Sequence, residues 1–378
     1  MASPRPLFTR HPFKFIYTTL FLAFLPLRLS SILIYYLLPI TRQGRTFRQA
    51  VTTKLIYLWF RFATTVEFRT SKFLNPGPDK ARFALLDPDS ITPPDAFLYA
   101  GILRSNPDVQ PSKIAAFWYE SAPPADTTPH LVILHLHGGA FVLGGARPAE
   151  AGWGPIALSK RLECPALMPQ YRLSDSHPAT CFPAALQDTV TAYTYLLYNL
   201  NIRPENIVVS GDSAGGNLVL DLLRYIKDEQ GAVQLPSPRA ALLWGPWVDP
   251  TAPSHQYDNH RNASTDFIFG DLGAWAMRSY IPDEWDATHE AYPYIHPLGR
   301  EFYTDVPVFL QTSTAEILHD SHSKFAQNLT EIGCRVKLVE ITGAPHDTFA
   351  GAQALGFVKE QQDTIDQAAD FVLAARTS

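Results

Sequence analysis

The apolar positions divide the chain into three stretches of different character. The first, Phe15 to Ile40 (FIYTTLFLAFLPLRLSSILIYYLLPI), carries a single charge, Arg28, and two prolines, Pro26 and Pro39. As a helix rising 1.5 Å per residue it reaches about 39 Å, against a hydrocarbon core of roughly 30 Å. It predicts an uncleaved, single-pass membrane anchor, because no small-residue cleavage site follows the run. Arg28 opposes burial at mid-bilayer by about 2.5–3.5 kcal/mol, which the surrounding Leu, Ile and Phe residues offset. A kinked helix lying in the interface and a packed helix of a soluble protein are the alternatives.

From Thr41 to about Phe73, Leu55, Leu58, Trp59 and Phe62 recur at spacings of three and four, which predicts an amphipathic helix between membrane and core. The Pro-rich stretches Pro76 to Pro94 and Pro123 to Pro129 predict loops. Beyond them come six short apolar runs: His130–Leu136, Ala166–Tyr171, Ile207–Ser210, Ala240–Leu243, Val308–Gln311 and Val336–Ile341. Helical patterns over Ala184–Leu200, Asn217–Asp228 and Ser321–Ile332 separate several of them. That alternation predicts an α/β fold with a mostly parallel sheet flanked by helices. Between the fourth and fifth runs, Asp249 to Thr304 is a long insertion rich in Trp275, Tyr280, Trp285, Tyr292 and Tyr294, read as a lid. The expected division is an anchor over residues 1–44 and a catalytic domain over 45–378.

Composition narrows the function classes. Hydrophobic residues make up 46% and charged ones 18% of the 378, so the chain can bury a sizeable core. A formal net charge of −5 leaves no basic footprint for nucleic acid. Cys164, Cys181 and Cys334 form no metal-type cluster and do not fix the compartment. Arg5, Arg10 and Lys14 before the anchor balance Arg42, Arg45 and Arg48 after it, so the charge rule gives no orientation. Sequons at Asn262 and Asn328 tilt the reading toward a lumenal, glycosylated catalytic domain on the endoplasmic reticulum.

Two motifs carry chemistry. Gly211-Asp212-Ser213-Ala214-Gly215 lies between a strand-like run and a helix, the context of a nucleophile elbow, and makes Ser213 the candidate nucleophile. No P-loop Lys-Ser/Thr follows it. His137-Gly138-Gly139-Ala140-Phe141 follows the first apolar run. Its backbone N–H groups at Gly138, Gly139 and Ala140, with that of Ala214, predict an oxyanion hole. His135 and His137 form an H-x-H pair without an apparent third ligand, so no metal and no organic cofactor are expected.

With these motifs in place, the chain resembles the hormone-sensitive-lipase-like branch of the α/β-hydrolases over roughly residues 132–349. Tyr171-Arg172-Leu173, His177-Pro178, Phe182-Pro183-Ala184-Ala185, Gly211-Asp212-Ser213-Ala214-Gly215-Gly216-Asn217 and Pro246-Trp247-Val248-Asp249 carry the likeness. Ala140 departs from the usual third glycine, which is acceptable if its φ is negative, and Asp175 replaces the usual glutamate in a longer loop. The resemblance implies the α/β-hydrolase fold. It also implies Glu316, in Thr314-Ala315-Glu316-Ile317-Leu318-His319-Asp320, as the acid, with Asp320 its rival. His346, in Gly343-Ala344-Pro345-His346-Asp347, is implied as the base. A carboxylic ester hydrolase acting on a small lipophilic ester at a membrane follows, with steryl or secondary-metabolite acetyl esters as the leading substrates. An acyltransferase using the same triad and a non-catalytic ligand receptor are the other readings.

Overall fold

The computed structural model describes residues 6–70, 74–91, 98–123 and 129–375. The end of the amphipathic stretch read to Phe73, Arg5, and parts of the loops read at 76–94 and 123–129 fall outside them. Two long helices come first, α1 (Phe13–Leu37) and α2 (Phe47–Thr65). The strands and helices that follow are β1 (Phe83–Leu86), β2 (Ile114–Tyr119), β3 (Val132–Leu136), α3 (Gly154–Leu162), β4 (Ala166–Pro169), α4 (Ala184–Thr194), β5 (Ile207–Asp212), α5 (Ala214–Asp228) and β6 (Ala240–Trp244). The insertion contributes α6 (Ser254–Asp258), α7 (Gly270–Tyr280) and α8 (Tyr292–Ile295). The chain closes with β7 (Val308–Ser313), α9 (His319–Glu331), β8 (Val336–Ile341), α10 (Thr348–Leu355) and α11 (Val358–Ala374).

The eight strands form one sheet in the order β1-β2-β4-β3-β5-β6-β7-β8. All pairs from β4 to β8 are parallel, and β1 and β2 join antiparallel at one edge. Central strands such as β3 and β5 are buried along their whole length, as expected where helices cover both faces. One apolar layer packs α4 and α5 against the sheet and runs on into α7, and a second packs α3 and α11 against its other face. The six apolar runs read from the sequence all contain strands. Two antiparallel strands lie outside those runs: β1, at the sheet edge, falls inside the Pro-rich stretch that predicts a loop, and β2, paired between β1 and β4, is the continuous apolar run IAAFWY, buried throughout.

Helix α2 begins with a capping box, in which Thr46 Oγ1 accepts from Gln49 N–H while Gln49 Oε1 accepts from Thr46 N–H. It packs against α7 and α10. The apolar helix α1 runs along α2 through Phe21 and Phe62 at one end and Tyr36, Ala50 and Val51 at the other. Together α2 and the insertion form a cap over the carboxyl ends of the parallel strands.

Candidate active site

The turn from β5 into α5 forces Ser213 to φ 51° and ψ −115°, a strained backbone that pushes its side chain off the end of the sheet. Both flanking glycines are required by close backbone approach. A Cβ on Gly215 would stand 1.9 Å from the Leu136 carbonyl oxygen, and one on Gly211 2.3 Å from that of Gly215. Ser213 N–H donates to Trp244 O, and Trp247 N–H donates to Ser213 O, which ties the elbow to the end of β6.

Ser213 Oγ lies 2.9 Å from His346 Nε2, and His346 Nδ1 lies 2.7 Å from Glu316 Oε2. Three loops after β5, β7 and β8 thus meet in one hydrogen-bonded chain. Glu316 is fully buried, and its other oxygen accepts from Thr312 Oγ1 at 2.9 Å and Ser313 N–H at 2.6 Å. Burial alone raises its pKa, but the neighbouring His322 and His346 outweigh that and hold it well below the usual carboxylate range. Burial likewise works to lower the His346 pKa, yet the hydrogen bond to Glu316 and its charge raise it to about 9. Asp320, the rival acid, is exposed and paired with Arg261 instead.

Two buried groups brace this arrangement and carry no motif that would announce them. Asp266, from the insertion, accepts from the N–H groups of Ile317 in the acid loop and His346 in the base loop, at 2.7 and 3.0 Å. His322 bridges Thr312 Oγ1 and the Pro246 carbonyl oxygen at 2.8 and 2.7 Å.

The oxyanion loop needs one correction. Gly138 N–H donates to Asp212 Oδ2 at 2.7 Å, so it is already taken and leaves the predicted oxyanion hole. The N–H groups of Gly139, Ala140 and Ala214 have no acceptor among the described residues, and Gly139 and Ala140 border the same cavity as Ser213. Ala140 has φ +54° and Phe141 φ +62°, so the negative φ on which the alanine was acceptable is not adopted. The loop is clamped from behind. Tyr171 Oη donates to His137 O at 2.6 Å, with its ring stacked on the His137 imidazole at 4.2 Å. Asp212 Oδ1 contacts His135 Nε2 at 2.9 Å, and His135 Nδ1 meets Ser210 Oγ, which accepts from the Trp244 indole. Burial lowers the His135 pKa to about 3, which favours a neutral ring between Ser210 and Asp212. Both histidines of the H-x-H pair therefore serve the loop.

A model of the α/β-hydrolase fold matches residues 133–350, more than half of the chain. The chain belongs to the hormone-sensitive-lipase-like α/β-hydrolases. An esterase of Acinetobacter venetianus is 27% identical over 244 residues, covering 64% of this hydrolase and 76% of that relative. An acetyl-hydrolase of Streptomyces hygroscopicus is 27% identical over 256 residues, covering 62% and 81% respectively. Among solved structures, an esterase/lipase from an uncultured bacterium superposes with TM-score 0.58 over 89% of the hydrolase and 96% of that chain, at 24% identity.

The cavity beside Ser213 holds about 50 Å³ and is walled by Phe60, Trp247, Tyr257, Phe267, Phe269 and Leu272. The insertion thus covers Ser213, but not through the tryptophans that draw attention in the sequence. Trp275 is fully buried in the main core, and Trp285 stacks on His289 at 3.7 Å, away from the cavity. The cavity aromatics are instead Trp247, Tyr257, Phe267 and Phe269, with Phe60 on α2. Asn262, read as a glycosylation acceptor, is buried and donates to Thr314 O and Glu316 O, so its amide supports the acid loop. Asn328 lies on α9, bonded to Glu301.

Proposed function

We propose that this serine ester hydrolase cleaves acetyl esters of lipophilic alcohols through an acyl-enzyme on Ser213. Ser213 Oγ attacks the ester carbonyl as His346 Nε2 takes its proton, and Glu316 holds the imidazolium that forms. The N–H groups of Gly139, Ala140 and Ala214 receive the developing oxyanion. Collapse of the tetrahedral intermediate breaks the ester C–O bond, with His346 returning the proton to the leaving alcohol. Water, activated by the same histidine, then releases acetate.

The observation that carries the acetyl reading is the size of the cavity: about 50 Å³ against Ser213 takes a short acyl group, whereas a fatty chain would displace Phe267, Phe269 and Leu272. The acetyl-hydrolase relative is consistent with that size. The reading of the alcohol as lipophilic, a sterol or secondary metabolite, rests on α1 as a membrane anchor: 25 residues with mean hydropathy 1.8 over its most apolar window. The test is a fluorophosphonate probe followed by an ester panel of increasing acyl length. Labelling at Ser213 and kcat/KM that falls steeply beyond acetate or propionate are expected. A maximum at octanoate or longer would overturn the acetyl reading, and labelling that persists in Ser213→Ala would overturn the nucleophile.

A further inference from the structure

Charge is segregated along the chain more sharply than the net value of −5 suggests. Residues 1–66 hold nine lysines and arginines and no aspartate or glutamate, whereas the rest holds 22 against 36 acids, a formal −14. The basic stretch is the one that folds into α1 and α2.

The packing of these two helices decides how they meet a membrane. Phe21 packs on Phe62 with ring centroids 4.5 Å apart, Tyr17 stacks on the same Phe62 ring, and Tyr36 packs on Ala50 and Val51. The contact therefore extends from Tyr17 to Tyr36, about 28 Å of helix. The opposite side of α2 is fastened to the catalytic body. Phe60 stacks on Phe267 at 5.6 Å, Tyr57 meets Phe269 edge-on at 5.4 Å, Gln49 donates to Gly356 O and Arg61 pairs with Asp271. An α1 that crossed a bilayer in this arrangement would draw α2, with Arg48, Lys54 and Arg61, into hydrocarbon, together with the body surface behind it. That is prohibitive for groups which cost several kcal/mol each when buried there.

The outward side of α1 is nevertheless apolar: Phe15, Leu20, Leu22, Phe24, Leu27 and Ile34 are between half and two-thirds exposed. Arg28 is exposed as well, its guanidinium 5.0 Å from the Phe21 ring centroid, from where a long side chain reaches headgroups. Held along α2 by this packing, α1 offers its apolar outer side to lipid, and the Lys and Arg along and beside it favour an anionic surface.

We infer that the α1–α2 hairpin lies flat on an anionic phospholipid surface, with the acidic body turned away and the Phe60 wall of the catalytic cavity backed against the membrane. This rests on the reading of α1 as the membrane anchor and changes its disposition from crossing to in-plane. The ester is then taken from the lipid phase at the α2 wall.

The test uses the full-length protein added to sealed vesicles of phosphatidylcholine, with and without phosphatidylserine. Removing α1 is not informative, because it would uncover Phe62, Val51 and Val66. Binding at least tenfold tighter with phosphatidylserine is expected, since each cation near such a surface contributes about 1 kcal/mol. Sidedness is read with a membrane-impermeant maleimide on Thr9→Cys, ahead of α1, and on Asp363→Cys, on α11. The native Cys164, Cys181 and Cys334 are buried and give little background. Equal labelling of both sites supports the in-plane hairpin. Protection of Thr9→Cys until detergent is added shows a crossing helix and overturns it, as does equal binding to both vesicle types. Failure to bind either vesicle overturns the anchor reading itself.

Discussion

The loops that carry Ser213, Glu316 and His346 and the cap that covers them are held by different forces. The loops are fixed by short, buried hydrogen bonds at the ends of rigid strands: Glu316 accepts two besides the imidazole, and Asp266 ties two of the loops together. The cap is held by aromatic packing, as where Phe141 and Tyr280 stack at 4.0 Å and Phe60 faces Phe267. Hydrogen bonds fail steeply with geometry, whereas apolar contacts are non-directional and tolerate change. Substitutions in the loops should therefore reduce the rate for every ester, and substitutions in the cap should alter the choice among esters.

The largest effect is expected at the nucleophile. Ser213→Ala should lower kcat by about 10⁶-fold with an unchanged melting curve. Residual activity above about one-hundredth of wild type would mean that another group attacks.

Glu316→Gln should cost about 10⁴-fold, whereas Asp320→Asn should leave kcat/KM nearly intact. The pH profile sharpens the contrast. Glu316 raises the His346 pKa to about 9 against the lowering by burial, so its removal should move the acid limb of kcat/KM to lower pH. The sign for stability is opposite to that for activity. A histidine raised in the fold contributes stability that is fully present below its unfolded pKa of about 6.5 and is lost as pH rises through the folded value. The melting temperature of the wild type should accordingly fall between pH 6.5 and 9 more than that of Glu316→Gln. Parallel melting profiles would break the assigned coupling.

Behind the oxyanion loop, Asp212→Asn weakens the grip on Gly138 N–H without touching the triad. A loss of about 10²-fold in kcat with little change in KM is expected, the size seen when one oxyanion donor is misplaced. A rise in KM alone would assign Asp212 to binding.

In the cap, Phe267→Ala should enlarge the acyl space. Each methylene in an apolar pocket is worth about 1–3 kcal/mol, so the butyrate-to-acetate ratio of kcat/KM should rise by about tenfold or more. Trp285→Ala, away from the cavity, should leave that ratio unchanged. Equal shifts in both variants would dissolve the distinction between loops and cap.

The same contrast explains what was legible in the sequence. Ser213, Glu316 and His346 each sit in a short motif at a strand end, where few residue types satisfy the backbone and the chemistry together. The central parallel strands were visible because both of their faces are buried and mostly apolar. Strand β1 was hidden because FALL lies among prolines and pairs only at the sheet edge. The cap residues were misread for a related reason. Large aromatics serve a core and a cavity equally well, so Trp275 and Phe267 differ only in what the tertiary fold places beside them. Phe60 lies more than 150 residues before Ser213 in the chain, and no local pattern joins them.

The smallest effect concerns the residue that stands where the resemblance calls for glycine. Ala140 adopts φ +54°, a left-handed conformation that costs an alanine about 1–2 kcal/mol relative to glycine. Ala140→Gly removes that strain but adds freedom to the unfolded chain, which offsets about 0.4–1 kcal/mol. It also removes a nearly buried methyl at the cavity edge. A net stabilisation below about 1 kcal/mol remains, seen as a rise of about 1–3 °C in melting temperature. The Ala140 N–H keeps its direction, so kcat/KM for an acetyl ester should stay within about threefold of wild type. Gly139 is the opposite case: its φ is +113°, and a Cβ there would stand 2.3 Å from the Leu143 carbonyl oxygen. Gly139→Ala should therefore abolish activity by moving the loop. A melting temperature that falls in Ala140→Gly would show that the methyl contributes more by packing than its backbone costs, and would place Ala140 with the cap instead of with the strained loops.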